Sequence, residues 1–592
     1  MLLAYTGRLL RVSLSDFAVK VEQLSTSILE KWLGGKGLGT WLLYNEVDPA
    51  VNPLEGANKL IFTTGPATGT IVPTANRYGL YFKSPLTGIY AESYSAGYFA
   101  VALKQAGYDA AIIEGVAPHP VYLWIDGDEV SIRDAKHLWG RDTFETEDLI
   151  REELGDKDIR VACIGPAGEN LVRFACIEND YYRSAGRCGG GAVMGSKRLK
   201  AIAVRGDKQI TVYDEDRLKT FVADLLKKMK DDPLIQNYRR YGTLLLTGVI
   251  NQAGAYPTRY WNGGVFEGYE KIDVYNIKQT IFKRNDTCWR CPIACHQYCE
   301  ADREPYRGAK CVIDYESVWA LGGLCLINNP EAVLKFNELC DRYGIDTISA
   351  GNVIAFAMEA YSRGKLKSDF SINFGDENTV LQLLELITKR KGVGSLLAEG
   401  VRNASKLLGL EDIAVHVKGL EPPAYDPRAL KAVALAYGVG VRGADHMRAV
   451  AHAIELSAKF ERRTMDLAKV EAVVDSENRI AISECLILCR FTRSIFDWSA
   501  LAQTFELLAG LRLSVEDLKV KANEIISLAR VFSVKTGVSR KDDRLPDRWI
   551  KTPLSNGPFQ GEVVDQTNYE RWLDKYYEMR GWDTEGRPKQ IF

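Results

Sequence analysis

Three cysteines fall within eight residues, Cys288-Trp289-Arg290-Cys291-Pro292-Ile293-Ala294-Cys295. Thiolates spaced C-x2-C-x3-C can hold three corners of an iron–sulfur cube, with a fourth ligand from elsewhere in the chain. A structural zinc ion or unrelated buried cysteines are the competing explanations. The nearest fourth thiol is Cys299. Pro292 suits the first turn of a helix, and a helix running through Cys299 would set Cys291 and Cys299 about 12 Å apart, too far for one compact cluster. A distant cysteine is expected instead. Glu484-Cys485-Leu486-Ile487-Leu488-Cys489 offers Cys485 and Cys489, and spacing alone does not choose between them.

Other polar groups are grouped less sharply. Asp341-Arg342-Tyr343-Gly344-Ile345-Asp346 sets two carboxylates around a glycine turn, which by itself reads as a helix C-cap followed by a loop. His446, one of six histidines, stands in the polar run Arg442-Gly443-Ala444-Asp445-His446-Met447-Arg448. Glu316, in Asp314-Tyr315-Glu316-Ser317, alone reads as a helix-start acid. Arg183-Ser184-Ala185-Gly186-Arg187 can wrap a phosphate, because glycine lets backbone amides approach and guanidinium groups match phosphate oxygens. Gly34–Gly39 and Gly189–Lys197 complete neither a dinucleotide fingerprint nor a P-loop, so tight turns are expected there.

The elements that must position these residues change character along the chain. Val121–Ile125 and Val130–Ile132 flank Asp126-Gly127-Asp128, a strong hairpin signal. Arg160–Ile164 and Leu171–Ile177 repeat that form, and Lys200–Val204 closes a series that predicts an antiparallel, β-rich domain. From Thr211 the period becomes helical: Asp214 can cap a helix whose buried stripe is Leu218, Phe221, Val222, Leu225, Leu226 and Met229. Similar stripes recur at 332–339, 380–387 and 520–529. Glu421-Pro422-Pro423 to Pro427-Arg428 is incompatible with regular helix and predicts a break. The fold class expected is therefore α+β. A β-rich N-terminal domain over 1–210 is followed by two mainly α-helical domains over 211–418 and 419–592.

With 592 residues, roughly three to five domains are expected. Lys+Arg 76 against Asp+Glu 77 gives a net charge of −1, which argues against a protein that coats nucleic acid. The first residues lack a signal-peptide pattern, and no apolar run approaches the ~18 residues of a membrane span. Twelve cysteines are too few for a disulfide framework and more than packing needs, so a cytoplasmic, reducing location is expected.

Taken in order, the Cys288/Cys291/Cys295 set, the Asp341–Asp346 motif, the Arg442–Arg448 motif and the Glu484–Cys489 motif resemble the tungsten-dependent aldehyde:ferredoxin oxidoreductase family, from Gly34–Gly39 to Gly581-Trp582-Asp583. The resemblance implies a β-rich saddle covered by two helical domains. It also implies a tungsten held by two pterin-dithiolenes, a magnesium ion bridging their phosphates, and a 4Fe–4S cluster. Position by position, it implies Cys288, Cys291, Cys295 and Cys489 as cluster ligands, in preference to Cys485 and Cys299. It places Arg77 between pterin and cluster, Tyr94 at the position near the magnesium, and Ala96 among the cofactor contacts. It implies cofactor contacts from Arg183, Ser184, Gly186, Arg187, Asp341, Ile345, Asp346, Arg442, Arg448, Glu484 and Leu488. Glu316 and His446 would face the substrate. Tyr94 stands where the family has asparagine, Glu484 replaces an aspartate and Arg448 a lysine. No match is found for the family's interface iron ligands, so a homo-oligomer would not rest on that metal.

The activity implied is interconversion of aldehydes and carboxylic acids, with electrons passed to ferredoxin or a ferredoxin-like subunit, and with neither nucleic acid nor membrane insertion involved. Glu316 would take a proton from water or the hydrated aldehyde, and His446 would hydrogen-bond the aldehyde oxygen or deliver a proton. The alternative within the superfamily is the catalytic subunit of a tungsten-type benzoyl-CoA reductase, for which no nucleotide clamp is evident. A simple iron–sulfur carrier leaves the paired acidic motifs unexplained.

Overall fold

The computed structural model describes residues 2–590. Its first 205 residues build two six-stranded sheets. One has the order β2-β1-β6-β3-β4-β5, from β1 (Arg8–Ser13), β2 (Ala18–Gln23), β3 (Leu60–Thr63), β4 (Tyr78–Lys83), β5 (Tyr90–Ser95) and β6 (Ala110–Glu114). The other has the order β11-β10-β9-β12-β7-β8, from β7 (Val121–Asp126), β8 (Glu129–Asp134), β9 (Arg160–Cys163), β10 (Ile177–Asn179), β11 (Arg183–Ala185) and β12 (Leu199–Arg205). The Asp126–Asp128 turn joins β7 to β8 as an antiparallel hairpin, as expected.

Three expectations for this region fail. Both sheets are mixed, because β1 runs parallel to β6 and β12 parallel to β7. Turn signals report only sequence neighbours, whereas parallel partners are joined by long crossovers that no local motif announces. Residues 171–177 are mostly irregular: Pro166–Glu169 forms a short helix, and the strand begins only at Ile177. Gly34–Gly39 and Gly189–Gly195 are not isolated turns either. They open the helices Gly35–Glu46 and Gly190–Ser196.

Strands β4 and β5 are buried along their whole length. Their far end meets the second sheet, where Ser95 Oγ donates to Asn179 Oδ1 at 2.6 Å and Ser93 Oγ donates to the Gly186 carbonyl. This seam is the floor of the site described below.

The rest of the chain is mainly helical. Asp214 caps Glu215–Asp231 by accepting from the Arg217 amide, and the other predicted stripes lie on Pro330–Tyr343, Glu377–Lys389 and Val515–Lys535. A third, antiparallel sheet, β13 (Phe282–Asp286), β14 (His296–Glu300) and β15 (Lys310–Ile313), interrupts them. It corrects the cysteine region: Pro292 starts no helix, residues 287–295 are irregular, and Cys299 sits on β14 opposite Phe282 and Cys311.

Residues 421–428 are irregular, as the prolines demand, yet every one is buried. They do not run over the surface as a linker. Asn352 donates to the Pro422 carbonyl, Tyr315 to that of Ala424, and Arg428 pairs with Asp426. Apolar contacts form one continuous core from the first strand to Trp582, with a small satellite beneath β7, β9 and β12. Among the described residues no helix is long and apolar enough to cross a membrane.

Candidate active site

A cavity of about 340 Å³ opens where the β4–β5 seam, the β11 loop and the helical segments meet. Its lining includes Arg77, Tyr94, Ala96, Arg183, Ser184, Gly186, Arg187, Cys295, Glu316, Asp341, Ile345, Asp346, Arg442, His446 and Arg448. Residues scattered over 370 positions are thus brought to one wall. Glu484 borders a small neighbouring cavity with Lys36 and Arg448. Leu488 is fully buried outside both, its carbonyl 3.5 Å from Arg77 Nη1.

The Asp341–Asp346 motif is a helix-to-helix corner. Pro330–Tyr343 ends on Gly344 in the left-handed region, φ 70°, and Asp346 caps Thr347–Ser362 by accepting from the Ser349 amide. The corner is docked on the second sheet, because the Cys176 amide donates to the Gly344 carbonyl and the Asp346 amide to that of Phe174. Burial raises Asp341 well above the usual carboxylate range, and Asp314 adds to the shift. Glu178, which accepts from Ser184 Oγ at 2.5 Å, is raised by burial in the same way.

Arg183 and Arg187 face this corner. Arg187 donates to the carbonyls of Glu421 and Ala444, and Arg183 pairs with Asp286 at 3.1 Å. Each keeps a buried nitrogen without a partner, Nε on Arg183 and Nη1 on Arg187. Arg490, which the sequence did not single out, keeps two, Nε and Nη1. Buried unpaired donors are costly unless something accepts from them. A Cβ at Gly186 would meet nothing closer than 3.8 Å, so packing within the protein does not require glycine there. Unpaired guanidinium donors around a bare glycine backbone fit an anionic, flat cofactor such as a phosphate-bearing pterin.

Behind these residues lies a buried charge network. Glu92 on β5 pairs with Lys36 and with Arg448, and its carbonyl accepts from Arg442. Arg448 also pairs with Glu484 at 2.7 Å and Asp445 at 3.0 Å, and Arg490 closes on Glu484. Although burial opposes ionisation, Arg448 and Lys36 hold Glu92 well below the usual carboxylate range, and Arg442 and Arg448 do the same for Asp445. Burial lowers Arg490 to about 9. Tyr94 does not replace the asparagine in kind. Its hydroxyl donates to Glu92 at 2.9 Å, and its ring lies between the guanidiniums of Arg77 and Arg448, at 4.9 and 5.0 Å.

The network explains the Gly34–Gly39 run. Gly35, at φ +40°, lies so near the Glu484 loop that a Cβ would sit 2.1 Å from the Glu484 carbonyl oxygen. Gly35→Ala is therefore expected to lower stability by about 3 kcal/mol or more, read as a denaturation midpoint. Gly248→Ala, inside the helix Leu245–Gln252 with a Cβ that would meet only Tyr269 at 3.8 Å, should not lower the midpoint and should raise it slightly, because alanine favours helix over glycine.

The four candidate cluster thiols share one neighbourhood. Cys295 feels the charges of Cys489, Cys288 and Cys291, and Cys291 those of Cys288 and Cys489. Burial pushes Cys291 up to about 12, a value that coordination to iron would reverse. Cys489 follows the helix Leu467–Cys485 and is tied to the N-terminal domain through its amide, which donates to the Thr74 carbonyl. Cys485 lies apart, facing Lys36 and the Gly37 amide, and Cys299 faces Lys278 and Lys283. Among the described residues no three His, Cys, Asp or Glu side chains converge closely enough for a single metal ion. A polynuclear cluster spaces its ligands more widely.

Glu316 and His446 meet across the cavity. Glu316 lies in the first turn of Tyr315–Leu321, capped by Asp314. Its Oε2 accepts from the Ala424 amide at 3.0 Å, and its Oε1, with no hydrogen-bond partner, lies 3.6 Å from His446 Nε2. Burial raises Glu316 to about 8, and burial lowers His446 to about 3. At neutral pH both are uncharged in this environment. Tyr425 and His452 complete this corner, with ring centroids 4.0 Å apart; no spacing rule would have selected them.

A two-sheet cradle roofed by helices, an arginine-walled cavity and four adjoining thiols define a class, an oxidoreductase built around a buried anionic cofactor. Comparison with known proteins supplies the family. The family profile "Aldehyde ferredoxin oxidoreductase, N-terminal domain" matches residues 9–206, and that for "domains 2 & 3" matches 220–591. A tungsten-containing aldehyde ferredoxin oxidoreductase of Thermococcus kodakarensis is 39% identical, over 98% of this chain and 97% of the relative. The aliphatic sulfonate oxidoreductase, WOR-like subunit, of Pyrococcus furiosus is 33% identical, over 99% and 96%. The BamBC active-site complex of benzoyl coenzyme A reductase, solved with 1,5-dienoyl-CoA, superposes with a TM-score of 0.86 at 26% identity, over 99% of this chain and 96% of that one. The chain belongs to the aldehyde ferredoxin oxidoreductase family.

Proposed function

We propose that this enzyme interconverts aldehydes and carboxylic acids and exchanges the electrons with ferredoxin or a ferredoxin-like subunit. The observation that carries the proposal is the Glu316–His446 contact at the edge of the arginine-walled cavity. A tungsten bis-pterin bound in that cavity would supply the two-electron chemistry. Arg183, Ser184, Gly186, Arg187, Asp341, Ile345 and Asp346 would hold one side of it. Arg77, Arg442 and Arg448 would hold the other, with Glu484 and Leu488 acting behind them through Arg448 and Arg77. Cys288, Cys291, Cys295 and Cys489 would bind the 4Fe–4S cluster, and Arg77 would lie between the two groups. A magnesium ion accompanying the pterin phosphates would lie near Tyr94 and Ala96, where the Tyr94 hydroxyl is committed to Glu92 and not free to bind it.

Glu316, near pKa 8, is poised as a general base that takes a proton from water or the hydrated aldehyde. His446 stays neutral and orients the carbonyl by a hydrogen bond from one ring nitrogen, which favours that role over proton delivery. The three-part division at 1–210, 211–418 and 419–592 is the corresponding domain scheme. Twelve free cysteines suit a cytoplasmic, reducing location.

Anaerobically purified protein should contain about one tungsten and four irons per chain, a ratio set by one mononuclear site and one four-iron cluster. Metal analysis giving zinc alone would remove the proposal. Activity with simple aldehydes in the absence of coenzyme A separates it from the benzoyl-CoA reductase alternative.

A further inference from the structure

A second cavity, of about 150 Å³, lies beyond Glu316 and His446, and both residues also line the arginine-walled one. Its walls are flat. Tyr238 and Phe491 are stacked at 4.3 Å with planes 24° apart, and Tyr425 and His452 at 4.0 Å with planes 11° apart. Leu246 and Val450 close the slot with aliphatic surface. The rings are held in place: Arg493 donates to the Tyr238 hydroxyl at 3.3 Å, and Val450, at φ 50°, turns the chain so that Ala451–Leu456 carries His452 onto Tyr425. A β-branched residue seldom adopts that conformation, so the turn is over-determined by its surroundings.

We propose that this slot binds the non-reacting body of the aldehyde and admits one flat ring, or an aliphatic group of similar volume, while refusing a fused bicycle or a coenzyme A thioester. The proposal rests on the reaction proposed above. Rings and aliphatic groups make up most of its lining, with Thr243, Asp314, Arg490 and Arg493 also on it, and a space of about 150 Å³ accommodates a benzene ring and little more. With the body in this cavity, the carbonyl faces Glu316 and His446, two of the residues the two cavities share. His452 Nδ1 is buried without a partner and offers one polar contact for a ring substituent.

The test uses metal-loaded enzyme with a viologen dye as electron acceptor. Benzaldehyde should exceed 2-naphthaldehyde in kcat/KM by tenfold or more. Leu246→Phe, which fills the slot, should lower the benzaldehyde-to-acetaldehyde ratio of kcat/KM at least tenfold. Leu246→Ala, which enlarges it, should raise the naphthaldehyde-to-benzaldehyde ratio by a similar factor. Equal use of both aromatic aldehydes, unmoved by either variant, overturns the slot and leaves the aldehyde reaction standing. If fully loaded enzyme turns over no aldehyde, the reaction falls instead. Calorimetric benzoate binding then decides the slot: loss in Leu246→Phe supports it, and undiminished binding overturns it.

Discussion

Glu316→Gln should abolish aldehyde oxidation while leaving tungsten and iron content near that of the parent, and His446→Ala should do the same. Both residues line the cavity, where the proposal puts the reacting region, and neither lies among the buried donors that would hold the cofactor. The loss expected is 10²-fold or more, the scale of a positioned general base. The parent enzyme adds a pH signature. A carboxyl raised to about 8 is protonated below that pH, so kcat/KM for oxidation should climb about tenfold per pH unit and level off above pH 8. Stability moves the other way. Glu316 titrates near 4.5 when unfolded and near 8 when folded, so folding loses stability as pH rises across that window. Glu316→Gln should therefore raise the thermal midpoint relative to the parent, increasingly so from pH 5 to pH 8. An active Glu316→Gln enzyme, or one whose midpoint difference is flat with pH, would strip this residue of the role.

The second large effect concerns the cluster. Cys489→Ala should lose the iron–sulfur absorption and most of the bound iron, as should Cys288→Ala. Cys485→Ala and Cys299→Ala should keep both. Sequence distance favours Cys299, which is only four residues beyond Cys295, yet strand β14 fixes it against Cys311 and under Lys278. Cys485 ends its helix pointing toward Lys36, whereas Cys489, after one further turn, reaches the other three thiols. Iron loss in Cys485→Ala with retention in Cys489→Ala would reverse the assignment.

These assignments also show what kind of information the sequence holds. Helices with an amphipathic stripe and a capping acid, such as Glu215–Asp231 behind Asp214, were legible because cap and period are local. The Asp341–Asp346 corner was legible as a turn for the same reason. The parallel pairings of β1 with β6 and β12 with β7 were not, since each joins strands far apart in the chain. The cysteine loop misled because Pro292 is as compatible with a tight turn as with a helix start. The resemblance supplied Glu316 and His446 but said nothing of Glu92, Lys36 or Arg490. Those residues complete a charge network whose members come from four distant segments, and charge partners of that kind carry no spacing rule. The buried 421–428 segment is a related case: its prolines forbade helix, but nothing local revealed that the core would close over it.

Among the described residues, six arginines line the larger cavity, Arg77, Arg183, Arg187, Arg442, Arg448 and Arg490. Of the acids beside them, Glu316, Asp314 and Asp341 are pushed by burial toward the uncharged form. Asp346 and Asp445 also line the cavity but do not match six guanidiniums, so the lining keeps a positive excess that an anionic ligand would offset. A molecule bearing phosphates is then a structural counterion as much as a reagent. Its arrival should tighten the junction between the strands and the helices that contribute those arginines. Because such an anion binds the folded chain and not the unfolded one, its presence should raise the stability of the enzyme in proportion to how tightly it is held.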